Sequence, residues 1–440
     1  MVEIQIPEKV NKIIHTLQEH GYEAYAVGGC VRDSFLGREP MDWDITTSAM
    51  PEETKALFPH TFDTGIEHGT ITVLLDHEGF EVTTYRVDGK YEDSRHPKEV
   101  IFVNLQEDLL RRDFTINAMA YNEKEGLVDI FGGMDDLKAG IIRCVGNAQA
   151  RFSEDALRIL RGIRFAAQLG FELEDETREG MRLLAPTLRK ISAERIQVEL
   201  VKTLTSSRPD LLREAWKLGI TKEFLPEFDL AMETTQETVH HMYTVGEHIL
   251  HTLLEVRPDR ILRLTMLLHD IGKPYMKTMD ADGVAHFKGH PEKSSELANE
   301  ILHRLKFDND TIRKVTKLVR YHDHRMPVTP AHVRRAVHEI GEDLFPLYLE
   351  VRRADVAAQS MYQRKEKVAD IDGVEKLYHE IMERKECVSL KTLAVTGKDL
   401  IAAGMKPGKE IGQMLEHFLD LVLEHPELNQ KEELLKRIEL

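Results

Sequence analysis

The chain has 440 residues, of which 42% are hydrophobic and 31% charged, and its formal net charge is −17. That length predicts two to four domains, and the lack of any run of about 18 apolar residues predicts no membrane span. The acidic balance excludes a protein that coats nucleic acid non-specifically, but a local basic groove remains compatible with it.

Met1 to Gly21 mixes charged and apolar residues in a pattern that predicts an amphipathic helix over about 7–20 and not a signal peptide. A strand is expected over 25–27, then a turn and a short helix to Leu36, then a strand over 42–45. Two β-rich runs, 70–75 and 80–86, flank a hairpin-like turn at Asp76-His77-Glu78-Gly79. From about Phe152 the pattern is helical almost to the end. Leu157, Leu160, Ile163 and Phe165 have mostly helical spacing, and Gly170 offers a stop. Thr329-Pro330 reads as an N-cap followed by proline at the first helical position. The cysteines Cys30, Cys144 and Cys387 lack metal-ligand spacing, which fits a reducing cytoplasm.

The most informative segment is Gly28-Gly29-Cys30-Val31-Arg32-Asp33, followed by Asp42-Trp43-Asp44. Glycines let backbone N–H groups approach phosphate oxygens closely. In a strand, Asp42 and Asp44 would share a face and could grip the same ions, here Mg²⁺. The combination predicts metal-dependent nucleotidyl transfer, in which the metal lowers the pKa of an attacking hydroxyl. Glu81, on an apparently adjacent strand, is the candidate third carboxylate. Arg111-Arg112-Asp113-Phe114-Thr115-Ile116-Asn117 offers phosphate and ribose contacts, since such groups are costly near a core unless paired. Asp155 and Arg158 are expected on one helix face, where they form either an ordinary ion pair or a fixed acceptor and donors for a base edge. With Arg151, Arg161 and Arg164 they define a basic helix.

These stretches resemble the class II tRNA nucleotidyltransferases, the family of CCA-adding enzymes and bacterial poly(A) polymerases. The likeness is carried by Gly28-Gly29-x-Val31-Arg32-Asp33 with Asp42-x-Asp44, by Arg111 to Met119, and by Glu154-Asp155-x-x-Arg158. It implies an α+β chain, with a small polymerase-β-like mixed-sheet head followed by largely all-α neck, body and further helical domains. It also implies that Asp155 and Arg158 read CTP or ATP, that Arg112, Asp113 and Asn117 address ribose and phosphates, and that the partner is the tRNA 3′ end. Gly28, Gly29, Arg32, Arg161 and Arg164 complete the expected nucleotide site. Tyr91 to Pro97 resembles the flexible loop that A-addition requires in the family.

A second cluster comprises His241, His248, His269-Asp270, His286, His290, His322, His324 and Asp355. Histidine and aspartate suit divalent metals. The ordered set His241, His269, Asp270, Asp355 resembles the HD phosphohydrolases, which implies those four as metal ligands with His290 and His322 as additional contacts. His248, His286 and His324 read instead as ordinary core or surface histidines. The expected organisation is a head over 1–140, a neck over 141–230, an HD-like domain over 231–375 and a C-terminal helical segment over 376–440. The expected activity is untemplated addition of CMP and AMP to tRNA, with a possible phosphohydrolase acting on RNA ends. Alternatives are an enzyme adding only A, to tRNA or as poly(A), and an HD phosphohydrolase whose head merely binds nucleotides.

Overall fold

The computed structural model describes residues 3–88 and 100–438, so the expected loop at Tyr91 to Pro97 lies outside the described residues. The chain divides into two compact units, Met1–Pro226 and Glu227–Leu440.

Unit 1 opens with helix α1 (Glu8–Glu19), which buries Val10, Ile13, Ile14 and Leu17. Those positions are three, one and three apart, a stripe down one face. A seven-stranded mixed sheet follows. Its strands are β1 (Ala24–Val27), β2 (Ile45–Thr47), β3 (Thr61–Gly65), β4 (Thr70–Leu75), β5 (Glu78–Thr84), β6 (Ala120–Asn122) and β7 (Gly126–Val128). Their order across the sheet is β3-β4-β5-β2-β1-β6-β7. All pairs are antiparallel except β2 with β5, where Ile45 stands opposite Val82. β1 is buried along its whole length because it lies near the middle of the sheet. Tyr25, Val27, Tyr85, Leu109 and Ala120 form a core cluster on it.

The hairpin between β4 and β5 turns on only two residues. Asp76 and His77 have φ of 48° and 65°, and Leu75 pairs directly with Glu78. Two successive positive φ values match the twist of the flanking strands, so an Asp-His pair occupies a place usually given to Asn-Gly.

Past the sheet the unit is helical. The helices that bear on the site are α2 (Gly29–Phe35), α3 (Leu105–Leu110), α4 (Leu157–Leu169) and α5 (Ala193–Leu204), with α5 packed along α4. α4 ends at Gly170, whose φ of 74° is the left-handed cap that glycine adopts most cheaply.

Unit 2 is almost entirely helical. α6 (Val245–Glu255), α7 (Arg260–Leu268), α8 (His290–Arg304), α9 (Asn309–Tyr321), α10 (Phe345–Ala357) and α11 (Arg364–Glu383) enclose a core that includes Leu318, Val333, Phe345, Tyr348 and Ile371. A separate cluster around Val395, Leu400, Phe418 and Val422 forms beneath α12 (Lys409–Glu424). Thr329 precedes the helix Pro330–Ile340 with extended backbone and proline at its start, although its hydroxyl makes no capping bond. Among the described residues, no helix is long and apolar enough to cross a membrane.

Candidate functional site

Two places in the chain gather chemistry-bearing side chains, one in each unit.

In unit 1, a cavity of about 480 Å³ collects Gly28, Gly29, Arg32, Asp44, Arg112, Asp113, Asn117, Asp155, Arg158, Arg161 and Arg164. Arg111, Phe165 and Arg195 complete its lining, so seven arginines face three aspartates. The chain is strongly acidic overall, yet this cleft is built for an anion.

The sheet sets its floor. β1 runs directly into Gly28, whose φ of 82° suits glycine and turns the chain into α2. A Cβ at Gly28 would stand 3.0 Å from Arg112 Nη1, so only glycine leaves that guanidinium its place. Arg32 clasps Asp33 through Nε and Nη2, each at 2.9 Å, and gives Nη1 to Asn117 Oδ1 at 2.6 Å. Asn117 in turn donates Nδ2 to Asp113 Oδ1 at 3.1 Å, and Arg161 Nε donates to Asp113 Oδ2 at 2.7 Å. Burial pushes the Asp113 carboxyl up, but Arg161 and Asn117 outweigh that and hold it down at about 2. This network fixes Arg32, Asn117 and Arg161 before any ligand arrives. Arg111 and Arg112 are anchored on fully buried Asp108, at 2.8 and 3.4 Å. Arg112 Nε is buried and makes no hydrogen bond among the described residues, an orphan donor at the cleft that an anionic ligand would satisfy.

The acidic pair differs from expectation. The expected strand over 42–45 begins only at Ile45, and Asp42 and Asp44 lie on the irregular segment leading into β2. The segment is still held, because the Asp44 carbonyl accepts Val27 N–H at 3.0 Å. Asp44 lines the cavity, while Asp42 is exposed beside it. The surrounding cleft raises the Asp44 carboxyl by excluding water; Arg112 opposes this, and Asp42 adds to it. An acidic pair on an open mouth, one member disfavoured as an anion, fits a divalent cation. Glu81 does lie on the strand paired with β2, one position before Val82, but it is exposed and is not among the cavity residues.

Asp155 and Arg158 are also arranged differently from a helix-face pair. Asp155 precedes α4 with extended backbone (φ −142°, ψ 105°). Its Oδ1 accepts Leu157 N–H at 3.0 Å and its Oδ2 accepts Arg195 Nη2 at 2.7 Å. Arg158 pairs with Glu154 at 2.8 Å and donates to the Arg111 carbonyl at 2.9 Å. The two are therefore anchored independently, and both line the cleft. Arg164 is held by Glu199 of α5 at 2.6 Å and lies 4.0 Å over the Phe165 ring.

In unit 2, His248 of α6, His269-Asp270 after α7, His290 at the start of α8, His322 at the end of α9 and Asp355 of α10 converge. Asp270 is central. Its Oδ2 lies 3.3 Å from His269 Nε2, and its Oδ1 lies 3.3 and 3.4 Å from His290 and His322 Nε2. His248 Nε2 is 2.9 Å from Asp355 Oδ1 and 3.4 Å from His269 Nε2. Two ligand-capable triads result, His248-His269-Asp270 and Asp270-His290-His322, joined by the same carboxylate.

The orientation of the rings is decisive. His269, His290 and His322 each place Nδ1 at 2.7 to 2.9 Å from the carbonyl three residues earlier, those of Met266, Phe287 and Val319. His248 Nδ1 lies 3.4 Å from the Ala358 carbonyl. A ring that donates Nδ1–H to a carbonyl leaves Nε2 as a bare lone pair. Four such lone pairs then point at one another and at two carboxylates. Both Asp270 oxygens are buried and make no well-formed hydrogen bond among the described residues, although Lys273 Nζ stands 2.7 Å from Oδ2. Separations of 3.2 to 3.4 Å between facing ligand atoms match the edge of a tetrahedral shell at metal–nitrogen distances of about 2.1 Å. The donor set fits one or two divalent cations.

The placement of the first histidine corrects the sequence reading. His248, taken there as ordinary, sits in the centre, while His241 stands behind it with ring centroids 4.9 Å apart. His241 Nε2 faces Lys273 Nζ at 3.5 Å; burial first, then the Lys273 ammonium, hold its imidazole down at about 2. His286 pairs with Asp280 at 2.7 Å on an exposed strand, and His324 is outside both triads. Gly272 provides the close approach that seats His290. A Cβ there would stand 2.5 Å from Ser294 N, and Gly272 N–H donates to Ser294 Oγ at 2.9 Å.

Comparison with known proteins follows the same division. Residues 24–143 match the poly A polymerase head domain, 170–232 the probable RNA and SrmB-binding site of polymerase A, and 286–438 a putative second domain of tRNA nucleotidyltransferases. The CCA-adding enzyme of Levilactobacillus brevis is 36% identical over 93% of this chain and 91% of its own length. The chain belongs to the CCA-adding enzyme family. A second relative, the CCA-adding enzyme of Limosilactobacillus reuteri, is 34% identical over 98% of this chain and 96% of its own. Among solved structures, the Bacillus stearothermophilus CCA-adding enzyme in complex with CTP superposes with a TM-score of 0.70 at 28% identity, covering 96% of this chain and 94% of that one. The Thermotoga maritima CCA-adding enzyme complexed with tRNA shares the fold, with a TM-score of 0.60 at 22% identity, over 99% of this chain and 97% of that one.

Sequence reasoning missed Arg195, Asp108 and Glu199. Each is separated by three to 44 residues from the group it holds, inside an ordinary helical pattern. For His248, the adjacent Val245-Gly246 at a helix start gave no signal to prefer it over His241.

Proposed function

We propose that this chain is a cytoplasmic CCA-adding tRNA nucleotidyltransferase, transferring CMP and AMP from CTP and ATP to the tRNA 3′ end. The observation that carries the reading is the arginine-lined cleft of unit 1, where the Gly28-Gly29 turn, Asp44 and the Asp155/Arg158 pair share one cavity, in a chain of this family. Asp42 and Asp44 would hold Mg²⁺, which supplies charge neutralisation and a more acidic attacking hydroxyl. Arg32, Arg112 and Asn117 bind the triphosphate and ribose. Asp155 and Arg158, held by separate anchors, offer an acceptor and a donor to the base edge, so that protein groups choose between C and A. The RNA 3′ oxygen attacks the α-phosphorus, pyrophosphate leaves, and the hydroxyl proton passes to solvent or a carboxylate.

The test uses a tRNA transcript ending before CCA, incubated with CTP alone, ATP alone, and both. Products ending at CC with CTP and at CCA with both are expected. Failure to use CTP, with A added to CC-ended tRNA or as long tails, would make the chain an A-adding enzyme.

A second reading concerns unit 2, favoured by the four inward Nε2 lone pairs around Asp270. We infer a metal-dependent phosphohydrolase that acts on phosphoesters such as those at RNA ends. His248, His269, Asp270, His290, His322 and Asp355 would hold the cations, which supply an acidified water and a Lewis acid for the phosphoryl oxygen. In hydrolysis, water oxygen bonds to phosphorus, the ester P–O bond breaks, and the departing alkoxide takes a proton. Lys273, 2.7 Å from Asp270, is placed to hold a phosphoryl oxygen near the centre. Hydrolysis of p-nitrophenyl phosphate in added Mn²⁺, absent in His269→Ala, checks it.

A further inference from the structure

Beside the histidine–aspartate centre, unit 2 has a second cavity of about 220 Å³ that none of the roles above uses. It opens between α10 and α11. Its apolar lining is Met326, Tyr348, Leu349, Ile371 and Val374. The Tyr348 ring is fixed there because its hydroxyl donates to the His324 carbonyl at 2.7 Å.

Three cations connect this cavity to the centre. Arg325 lines both the cavity and the cleft over the histidines. Arg352, nearly buried, donates Nη1 to the carbonyl of His322 at 3.3 Å. Lys367 donates to Gln359 Oε1 at 2.7 Å, and Gln359 Nε2 donates to Asp355 Oδ2 at 2.9 Å. The wall that leads to the centre is therefore cationic, while Glu366 and Asp370 add acceptors elsewhere in the lining. An apolar, aromatic floor, an anion-holding wall and carboxylates that accept hydroxyl or amino donors suit one chemical class. That class is a base and sugar whose phosphate reaches the neighbouring centre.

We propose that this cavity is a nucleoside subsite of the histidine–aspartate centre, so that the centre takes nucleoside phosphates and not phosphoesters at large. The proposal rests on the phosphohydrolase reading of that centre for its use, but not for its binding. The base and sugar lie against Tyr348, Leu349, Ile371 and Val374. Arg325 and Arg352 meet the phosphate on its way to the histidines. A free nucleotide and the 3′-terminal nucleoside of an RNA offer the same chemistry here.

Hydrogen–deuterium exchange on the full chain, in chelator so that nothing turns over, reads occupancy at peptide resolution. Adenosine 2′,3′-cyclic phosphate is expected to protect peptides spanning 321–328 and 345–376, where inorganic phosphate and p-nitrophenyl phosphate do not. Val374→Trp, which fills the cavity, should weaken that protection at least tenfold. So should Arg325→Ala, whose exposed side chain makes misfolding an unlikely confounder. A short RNA ending in the cyclic phosphate, compared with the mononucleotide, shows which source is held more tightly. Protection confined to residues 1–226, or undiminished in both variants, would overturn the proposal. Hydrolysis assays with Mn²⁺ are run in parallel. If no phosphoester is cleaved while the protection persists, the phosphohydrolase reading fails and the subsite stands.

Discussion

At the scale of single residues, the cleft of unit 1 is held open by ion pairs that would have to be desolvated in any case, and Asp113 is the clearest example. Its carboxyl is held down at about 2, against a usual value of about 4. A depressed carboxyl contributes stability that is present above its ordinary pKa and is lost as pH falls from about 4 toward about 2. Asp113→Asn should therefore lower the thermal midpoint at pH 7, where Arg161 loses its partner, and narrow its deficit at pH 2.5. Melting curves at the two pH values check this; an equal deficit at both would remove the electrostatic explanation. Activity separates the acidic pair from this framework. Asp42→Ala and Asp44→Ala are each expected to reduce nucleotide transfer at least a hundredfold while leaving the melt near that of the parent. Transfer close to the parent's would sink the assignment of a metal to these carboxylates. Arg195→Ala releases Asp155 without touching the triphosphate contacts, so it should shift the ratio of CTP to ATP incorporation more than it weakens RNA binding, and a filter-binding titration beside the incorporation assay distinguishes the two.

At the scale of elements, glycines and helix ends decide where the chemistry sits. Gly272 leaves no room for a Cβ against the Ser294 backbone of α8, the helix that starts with His290. Gly272→Ala must move that backbone, since no flexible side-chain tip can yield. Metal content per chain, measured after loading and gel filtration, is expected to fall at least tenfold, while transfer by unit 1 is retained. An unchanged metal content would mean that His290 is not a ligand. The element scale also shows how far the sequence could be read. The order of helix and strand was legible because α1, β4 and the stop at Gly170 obey local rules of periodicity and capping. The Gly28-Gly29 turn and the Asp42/Asp44 pair were legible as chemistry, but the strand start at Ile45 was not, because the three residues before it hold their place through a single carbonyl on Val27. Asp155 was mistaken for a helical residue because the chain breaks between two helices at a position with no proline or glycine to mark it. His241 and His248 are seven residues apart in equally helix-like surroundings, and only the long-range approach of Asp355 distinguishes them.

At the scale of the whole molecule, two compact units carry two different sets of chemistry. If they act independently, His269→Ala with Asp270→Ala abolishes phosphoester hydrolysis and leaves CCA addition intact, while Asp44→Ala does the reverse. Equal loss of both activities in either variant would show that the centres depend on each other. The acidic chain also constrains how RNA is held. With a net charge of −17 and basic groups concentrated in one cleft, few phosphates can be neutralised. The logarithm of tRNA affinity should then fall only shallowly with the logarithm of salt, and backbone shape must supply much of the recognition.

The ring-to-carbonyl bonds of His269, His290 and His322 have one more consequence. They commit six side chains from five helical segments to a cluster of mutually repelling lone pairs, which the empty fold must hold together by packing alone. A cation there acts as a cross-link between segments distant in sequence, and its binding energy becomes folding energy for unit 2 only. A chelator is then a selective denaturant. Present at 100 times its dissociation constant, the metal would raise the unfolding midpoint of a unit this size by roughly 5–10 °C. Calorimetry should resolve one transition that responds to chelation and one that does not.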